Sequence, residues 1–182
     1  MTNPITITST SHPLYSTFHS VYSESFPIFE QRTPEQQQEA FADRRYRLDA
    51  YTSEEGDFIG FLSYWVFSTY IYVEHFAIAP QHRGMGEGGT ILRRFIADTK
   101  TTNRIVILEI GPPIDTISIS RQHFYERQGM SLNPFDHRHP PYREGFQAHA
   151  LRIMSSGGKL TPEEYALFSR DLQTIVMKRK LD

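Results

Sequence analysis

The sequence predicts a mixed α/β fold, a mostly antiparallel central sheet with one splayed parallel strand pair and flanking helices. Three observations carry the prediction. Between Tyr46 and Ala79, three runs rich in aromatic and β-branched residues follow one another through short polar connections, the pattern of an antiparallel meander. A glycine-rich segment, an amphipathic stretch and the nearly continuous apolar run Arg104–Ile110 come next, and strand, helix, strand in that order makes a parallel pairing. The chain has 182 residues, 38% hydrophobic and 22% charged, enough to bury one sizeable core, so a single domain over 1–182 is expected.

Taken in order, Ile5 and Ile7 alternate with Thr6 and Thr8 as a short strand. Leu14, Phe18, Val21 and Tyr22 share one helical face, and the helix stops near Pro27. Thr33-Pro34-Glu35 reads as an N-cap with proline in the first turn, opening a polar helix to about Arg45. The strands Tyr46–Thr52, Phe58–Phe67 and Tyr70–Ala79 follow, the first two joined by a hairpin turn at Ser53–Asp57. Past the glycines, Ile91, Leu92, Phe95 and Ile96 define the next helix, and Ile117–Gln128 another, ended by Gly129. Met130–Leu132 and His149–Met154 are strands around a long loop, Asn133–Gln147. Thr161-Pro162-Glu163-Glu164 caps a final helix over about 161–180.

Composition excludes several classes. Nineteen basic against twenty-one acidic residues, net charge −2, give no global pull toward nucleic acid or an anionic membrane. The absence of Cys removes disulfides, a thiolate nucleophile and every Cys-ligated metal site. No apolar run approaches the roughly 20 residues that span a bilayer. Residues 1–11 have neither a basic start nor an apolar block, so the expected location is cytoplasmic.

Strand, glycine loop and helix in succession make a device for holding phosphates, because the amides at a helix start are unpaired and glycine lets the anion approach. Gly84-x-Gly86-x-x-Gly89 also fits the dinucleotide fingerprint, with Glu109 at the spacing of a ribose-binding acid. A nicotinamide-dependent oxidoreductase is nevertheless disfavoured. Pro80-Gln81-His82-Arg83 separate the strand from the first glycine, where that fingerprint needs a tight turn. The region after Glu109 also lacks room for further βα units. No Gly-Lys-Ser/Thr occurs, which excludes a P-loop.

More residues are absorbed by another pattern. Gln81-His82-Arg83-Gly84-Met85-Gly86, after a strand ending Ile78-Ala79-Pro80, resembles the acetyl-CoA-binding motif of the GNAT superfamily of N-acetyltransferases. Phe124-Tyr125-Glu126-Arg127-Gln128-Gly129-Met130 is similar to a second signature of that family, and the order of elements over Ile5–Met154 fits its arrangement. The resemblance implies acetyl-CoA as cosubstrate, no metal, and direct attack by an amine within a ternary complex. It places the pyrophosphate on the turn made by Arg83, Gly84, Met85, Gly86, Glu87, Gly88 and Gly89. The pantetheine arm would run along Phe76, Ala77 and Ile78, where the family splays two parallel strands. Ser118 stands where many members carry a cofactor-binding Asn, so that contact departs from the pattern.

An alkyl ammonium is only about 0.1% neutral at pH 7, so a base must take its proton and an acid must meet the departing thiolate. The resemblance makes Tyr125 the acid. Glu74, a carboxylate inside an apolar and aromatic strand, is the expected base, and Glu109 on the neighbouring strand is the second candidate. Strand alternation sends His75 to the opposite face from Glu74, as a structural histidine. Asp136-His137-Arg138-His139 reads as a solvated loop rather than a metal site. The aromatic and proline-rich segments containing Phe29, Glu30 and Tyr142 are expected to shape the acceptor site. The acceptor itself and the assembly state, a homodimer included, are left open. A domain that binds acyl-CoA without turnover is the rival reading.

Overall fold

A computed structural model describes residues 2–179. The elements, in chain order, are β1 (Ile5–Thr6), α1 (Tyr15–Ser25), α2 (Pro34–Ala42), β2 (Tyr46–Thr52), β3 (Phe58–Val66) and β4 (Tyr70–Ile78). They continue as α3 (Glu87–Lys100), β5 (Ile105–Ile110), α4 (Thr116–Arg127), β6 (Met130–Leu132), β7 (His137–His139), β8 (His149–Ser156) and α5 (Pro162–Asp171). The last turn of the expected C-terminal helix reaches residue 180, outside the described residues.

The sheet runs in the order β1-β2-β3-β4-β5-β8-β6, with β7 also pairing β8. Strands β2, β3 and β4 form the antiparallel meander, and β4 and β5 are the parallel pair. Alternation along the strands divides the core between two faces. On one face, Tyr70, Tyr72, Trp65 and Ile107 pack under α1, α2 and α5 through Phe18, Tyr22, Ala40 and Phe168. On the other, Ile59, Leu62, Val73, Val106 and Leu108 pack under α3 and α4 through Ile91, Leu92 and Tyr125.

Helix starts follow local chemistry. Thr33 and Gln36 form a capping box on α2, and Thr161 and Glu164 form one on α5, each with proline in the first turn. Gly129 ends α4 at φ +85°, in the left-handed region expected of it.

Two expectations are corrected. The segment Asn133–Gln147 is not all loop: His137–His139 is a strand paired to Leu151–His149, with His137 and His139 both buried. Histidine is no strand signal, so only the partner strand reveals it. Strand β4 also does not alternate throughout. Tyr64 pairs with Val73 and Ser63 with His75, which leaves Glu74 as an extra residue, a β-bulge. The bulge shifts the register by one, so His75 stays on the α1 side, edge-on to Tyr22 and Phe26, and shares a face with Glu74 instead of opposing it.

Candidate active site

The bulge sits where the sheet opens. β4 pairs with β5 only from Tyr70 to Val73, against Ile105 to Leu108. Beyond Val73 the two strands diverge, and β4 keeps its bonds to β3 as far as Ile78. Its edge at Phe76–Ile78 therefore faces the opening without a strand partner on that side. A cavity of about 630 Å³ fills the splay, a size suited to a small-molecule ligand. Its walls come from both faces of the sheet: Val73, Leu108 and Tyr125 from one, Tyr72, Glu109 and Tyr142 from the other. It passes through the sheet.

A second cavity of about 440 Å³ adjoins it on the α3/α4 side, lined by Phe76, Ala77 and Ile78, the turn glycines Gly84, Gly86, Gly88 and Gly89, and Tyr125. Gly84 and Gly86 adopt φ +79° and +82°, so the turn needs glycine at both. Added side-chain carbons there would meet nothing within 4 Å, whereas one on Gly88 would come to 3.2 Å from Ile78. The glycines thus pack α3 close to β4 and leave open space before the first amides of a fourteen-residue helix, where an anion is favoured. The Glu87 carboxylate, an unwelcome neighbour for an anion, turns to within 3.0 Å of His82 Nδ1. Met85 is exposed on the same turn.

Arg83 does not reach freely over the turn. Its Nε donates to the Ile78 carbonyl at 2.9 Å and its Nη2 to Ser25 at 3.2 Å, and it lines both cavities. Ser118 lines neither: its hydroxyl and amide close a capping box with Asp115 at the start of α4. Tyr125 is brought to the splay by α4 and lines both cavities; burial pushes its phenol up to about 12. Arg121, one turn earlier on the same helix, lines both as well. Its i, i+4 spacing from Tyr125 was the available signal.

On the other face the cavity is a chamber of committed side chains. Glu74 is fully buried and accepts from Arg32 Nη2 at 2.6 Å, Tyr142 Oη at 2.8 Å and Trp65 Nε1 at 2.8 Å. Burial alone would raise its carboxyl, but the Arg32 guanidinium, with Trp65 and Tyr142 donating, holds it below the ordinary value. Arg32 is itself buried between the Trp65 and Tyr142 rings, 5.5 and 5.3 Å from their centroids. Nothing in the sequence around Gln31-Arg32-Thr33 marks it.

Glu109 is equally enclosed. It accepts from Tyr72 Oη at 2.5 Å and from His137 Nε2 in a short contact, and His139 Nε2 lies 3.7 Å away. Burial opposes its charge, yet His139, His137 and Tyr72 together lower its carboxyl to about 2. Tyr142 stacks on His139 with centroids 5.1 Å apart. Glu30 reaches the chamber and lies 3.4 Å from His149, while Phe29 packs edge-on against His149 behind it. The structure therefore brings Glu74, Glu109, Glu30 and Tyr142 to one chamber, Tyr125 to its boundary and the glycine turn to the far side.

A mixed sheet opened at its one parallel pair, with an anion-ready glycine turn on one face and a side-chain chamber on the other, defines an acyltransferase fold. The chain belongs to the acetyltransferase (GNAT) family, whose description matches residues 14–130. That membership implies an acyl-CoA cosubstrate. A provisionally named acetyltransferase of Bacillus subtilis (strain 168), YjbC, is 31% identical over 108 residues, 58% of this chain and 52% of that protein. The match thus spans about half of that curated relative's length. Among solved structures, a provisionally named GNAT-family acetyltransferase from Bacteroides thetaiotaomicron superposes with a TM-score of 0.86 at 31% identity, over 98% of this chain and 100% of its own. A variant of the spermidine N-acetyltransferase SpeG from Vibrio cholerae has a TM-score of 0.63 at 14% identity, over 85% of this chain and 94% of its own, and shares the fold alone. Among the described residues no helix is long and apolar enough to cross a membrane, and no group of His, Asp and Glu is placed to hold a metal ion.

Proposed function

We propose that the protein transfers an acetyl group from acetyl-CoA to a primary amine, with both substrates bound together. The observation that carries this reading is the pair of adjoining cavities at the splayed sheet, one lined by the glycine turn and the other by buried carboxylates. The amides of residues 84–89 would hold the pyrophosphate, and the edge of Phe76–Ile78, whose Ile78 carbonyl Arg83 already engages, would pair through its remaining groups with the amides of the pantetheine arm. Bound there, acetyl-CoA supplies an activated acetyl thioester at the splay.

Charge is distributed to match. Arg83 and Arg121 flank the phosphate side. On the chamber side Arg32 neutralises Glu74, leaving Glu109 and Glu30 to attract a cationic ammonium. Tyr125 stays protonated at neutral pH, because burial holds its phenol near 12, and can donate toward the departing sulfur. A thiolate released among the same apolar groups is made more basic by the same burial, so the proton can pass to it. Neither Glu74 nor Glu109 has a strongly basic oxygen: each is held by several donors and lowered in pKa. Their role in this reading is electrostatic.

Calorimetric titration with acetyl-CoA followed by an acceptor screen that detects released CoA thiol tests the proposal. Binding and turnover with primary amines are expected. No binding at millimolar acetyl-CoA overturns the reading; binding without turnover across a broad amine and peptide panel supports the non-catalytic rival instead.

A further inference from the structure

We propose that His139 is the base that takes the ammonium proton of the acceptor; the assignment rests on the amine-transfer reading above. β7 turns His137 and His139 inward, and His139, 2% exposed, lines the chamber. Its Nδ1 lies 2.5 Å from the Pro140 carbonyl oxygen. A carbonyl can only accept, so Nδ1 carries the hydrogen and Nε2 keeps its lone pair. Nε2 lies 3.7 Å from Glu109 Oε2, too far for a hydrogen bond but within ion-pair range once it gains a proton. Glu109 is already supplied with donors by Tyr72 and His137, and so remains an anion that stabilises an imidazolium beside it without taking the proton itself. A carbonyl that fixes the tautomer and a nearby carboxylate that stabilises the charged form together suit a histidine to base catalysis.

The other candidates in the chamber fall short. His75 has both ring nitrogens engaged, one with the Glu30 carbonyl and one with Ser63. His149 lies 5.7 Å from the His139 ring and 3.4 Å from Glu30, but its nitrogens have no hydrogen bond among the described residues to fix a tautomer. Tyr142, stacked on His139, donates to Glu74, which is paired with Arg32. Tyr165 bonds the far side of His137.

The step balances. The ammonium gives one proton to His139 Nε2, and the neutral amine forms the N–C bond as the C–S bond breaks. The Tyr125 hydroxyl proton goes to sulfur and is replaced by one from the amine nitrogen. The imidazolium then returns its proton to water.

The test is CoA release from acetyl-CoA with ethylamine and with trifluoroethylamine, which is weakly basic and largely neutral at pH 7. His139→Ala should lower turnover of ethylamine by about 10² to 10⁴ and that of trifluoroethylamine by less than about tenfold. Added imidazole should restore part of the ethylamine rate. Unchanged acetyl-CoA affinity by calorimetry reports an intact fold; if His139→Ala fails this, His139→Gln, which keeps more of the volume, takes its place. Equal losses with both amines, or a parental rate with ethylamine, overturn the assignment alone. If the parental protein binds acetyl-CoA but acetylates no member of the broad amine and peptide panel, the amine-transfer reading falls and this assignment with it; if it acetylates other panel amines only, the comparison is made between the most and the least basic of those.

Discussion

The glycine-turn side of the cleft and its chamber side differ in how they are made. Residues 76–89 supply the first as one continuous stretch: a strand edge, a glycine turn and the first amides of α3. Its recognition groups are main chain, and its specific side chains are mostly absent ones, the missing Cβ atoms of the glycines. The chamber side gathers Glu30, Tyr72, Glu74, Glu109, His139, Tyr142 and His149, with Arg32 paired to Glu74, from strands and loops scattered along the chain. Its groups are side chains that hold one another by ion pairs, hydrogen bonds and ring contacts. Main-chain sites tolerate change in side chains but not in backbone conformation. A side-chain network behaves the other way, and the loss of one member leaves buried polar groups without partners.

The seam between the two sides should show the largest effect. Tyr125→Phe should lower kcat by about 10² to 10⁴ while acetyl-CoA affinity stays close to the parent, if the hydroxyl serves as the proposed donor to sulfur. Rapid-mixing or steady-state assays beside calorimetry would show this; a Phe variant with parental kcat removes Tyr125 from the chemistry. On the chamber side, Arg32→Met should destabilise the fold by about 3–5 kcal/mol in denaturant titration, because it strands the buried Glu74 carboxylate. The loss should be much smaller in the double variant with Glu74→Gln, which removes the uncompensated charge. If single and double variants are equally destabilised, the ion pair is not what the Arg32 site contributes. On the glycine-turn side, Gly86→Val forces a β-branched residue to φ +82° and fills open space beside the turn. About 1–2 kcal/mol of backbone strain should appear as lost stability and as a Michaelis constant for acetyl-CoA raised about tenfold, at nearly constant kcat. A folded variant with an unchanged constant would show that the turn does not bear the phosphates.

The two sides were not equally readable. The glycine turn and α3 follow from residues within a few positions of one another, and conformational demand at Gly84 and Gly86 is a local property of the backbone. The same holds for the capping boxes at Thr33 and Thr161 and for the C-terminal glycine of α4. Glu74 stood out as a charge in an apolar strand, but its environment did not follow from the sequence. The bulge that places it depends on how β3 and β4 pair, and Arg32, which balances it, lies forty-two residues away. His137 and His139 looked like polar loop residues because a three-residue strand has too few positions to show alternation, and β8 is what defines it.

What the sequence determined by itself is therefore the order and kind of the main elements, the parallel pair within an antiparallel sheet, and the glycine turn before α3. Each rests on periodicity, capping or backbone freedom, which act over a few residues. Only the tertiary structure decided where the sheet opens, which carboxylates are paired, which face His75 takes, and that His139 stands beside Glu109 in the chamber. Those features depend on strand register and on charges meeting across the fold in a medium of low polarity. There, a shift of one residue or one missing partner alters both which side chains meet and the protonation state each one keeps.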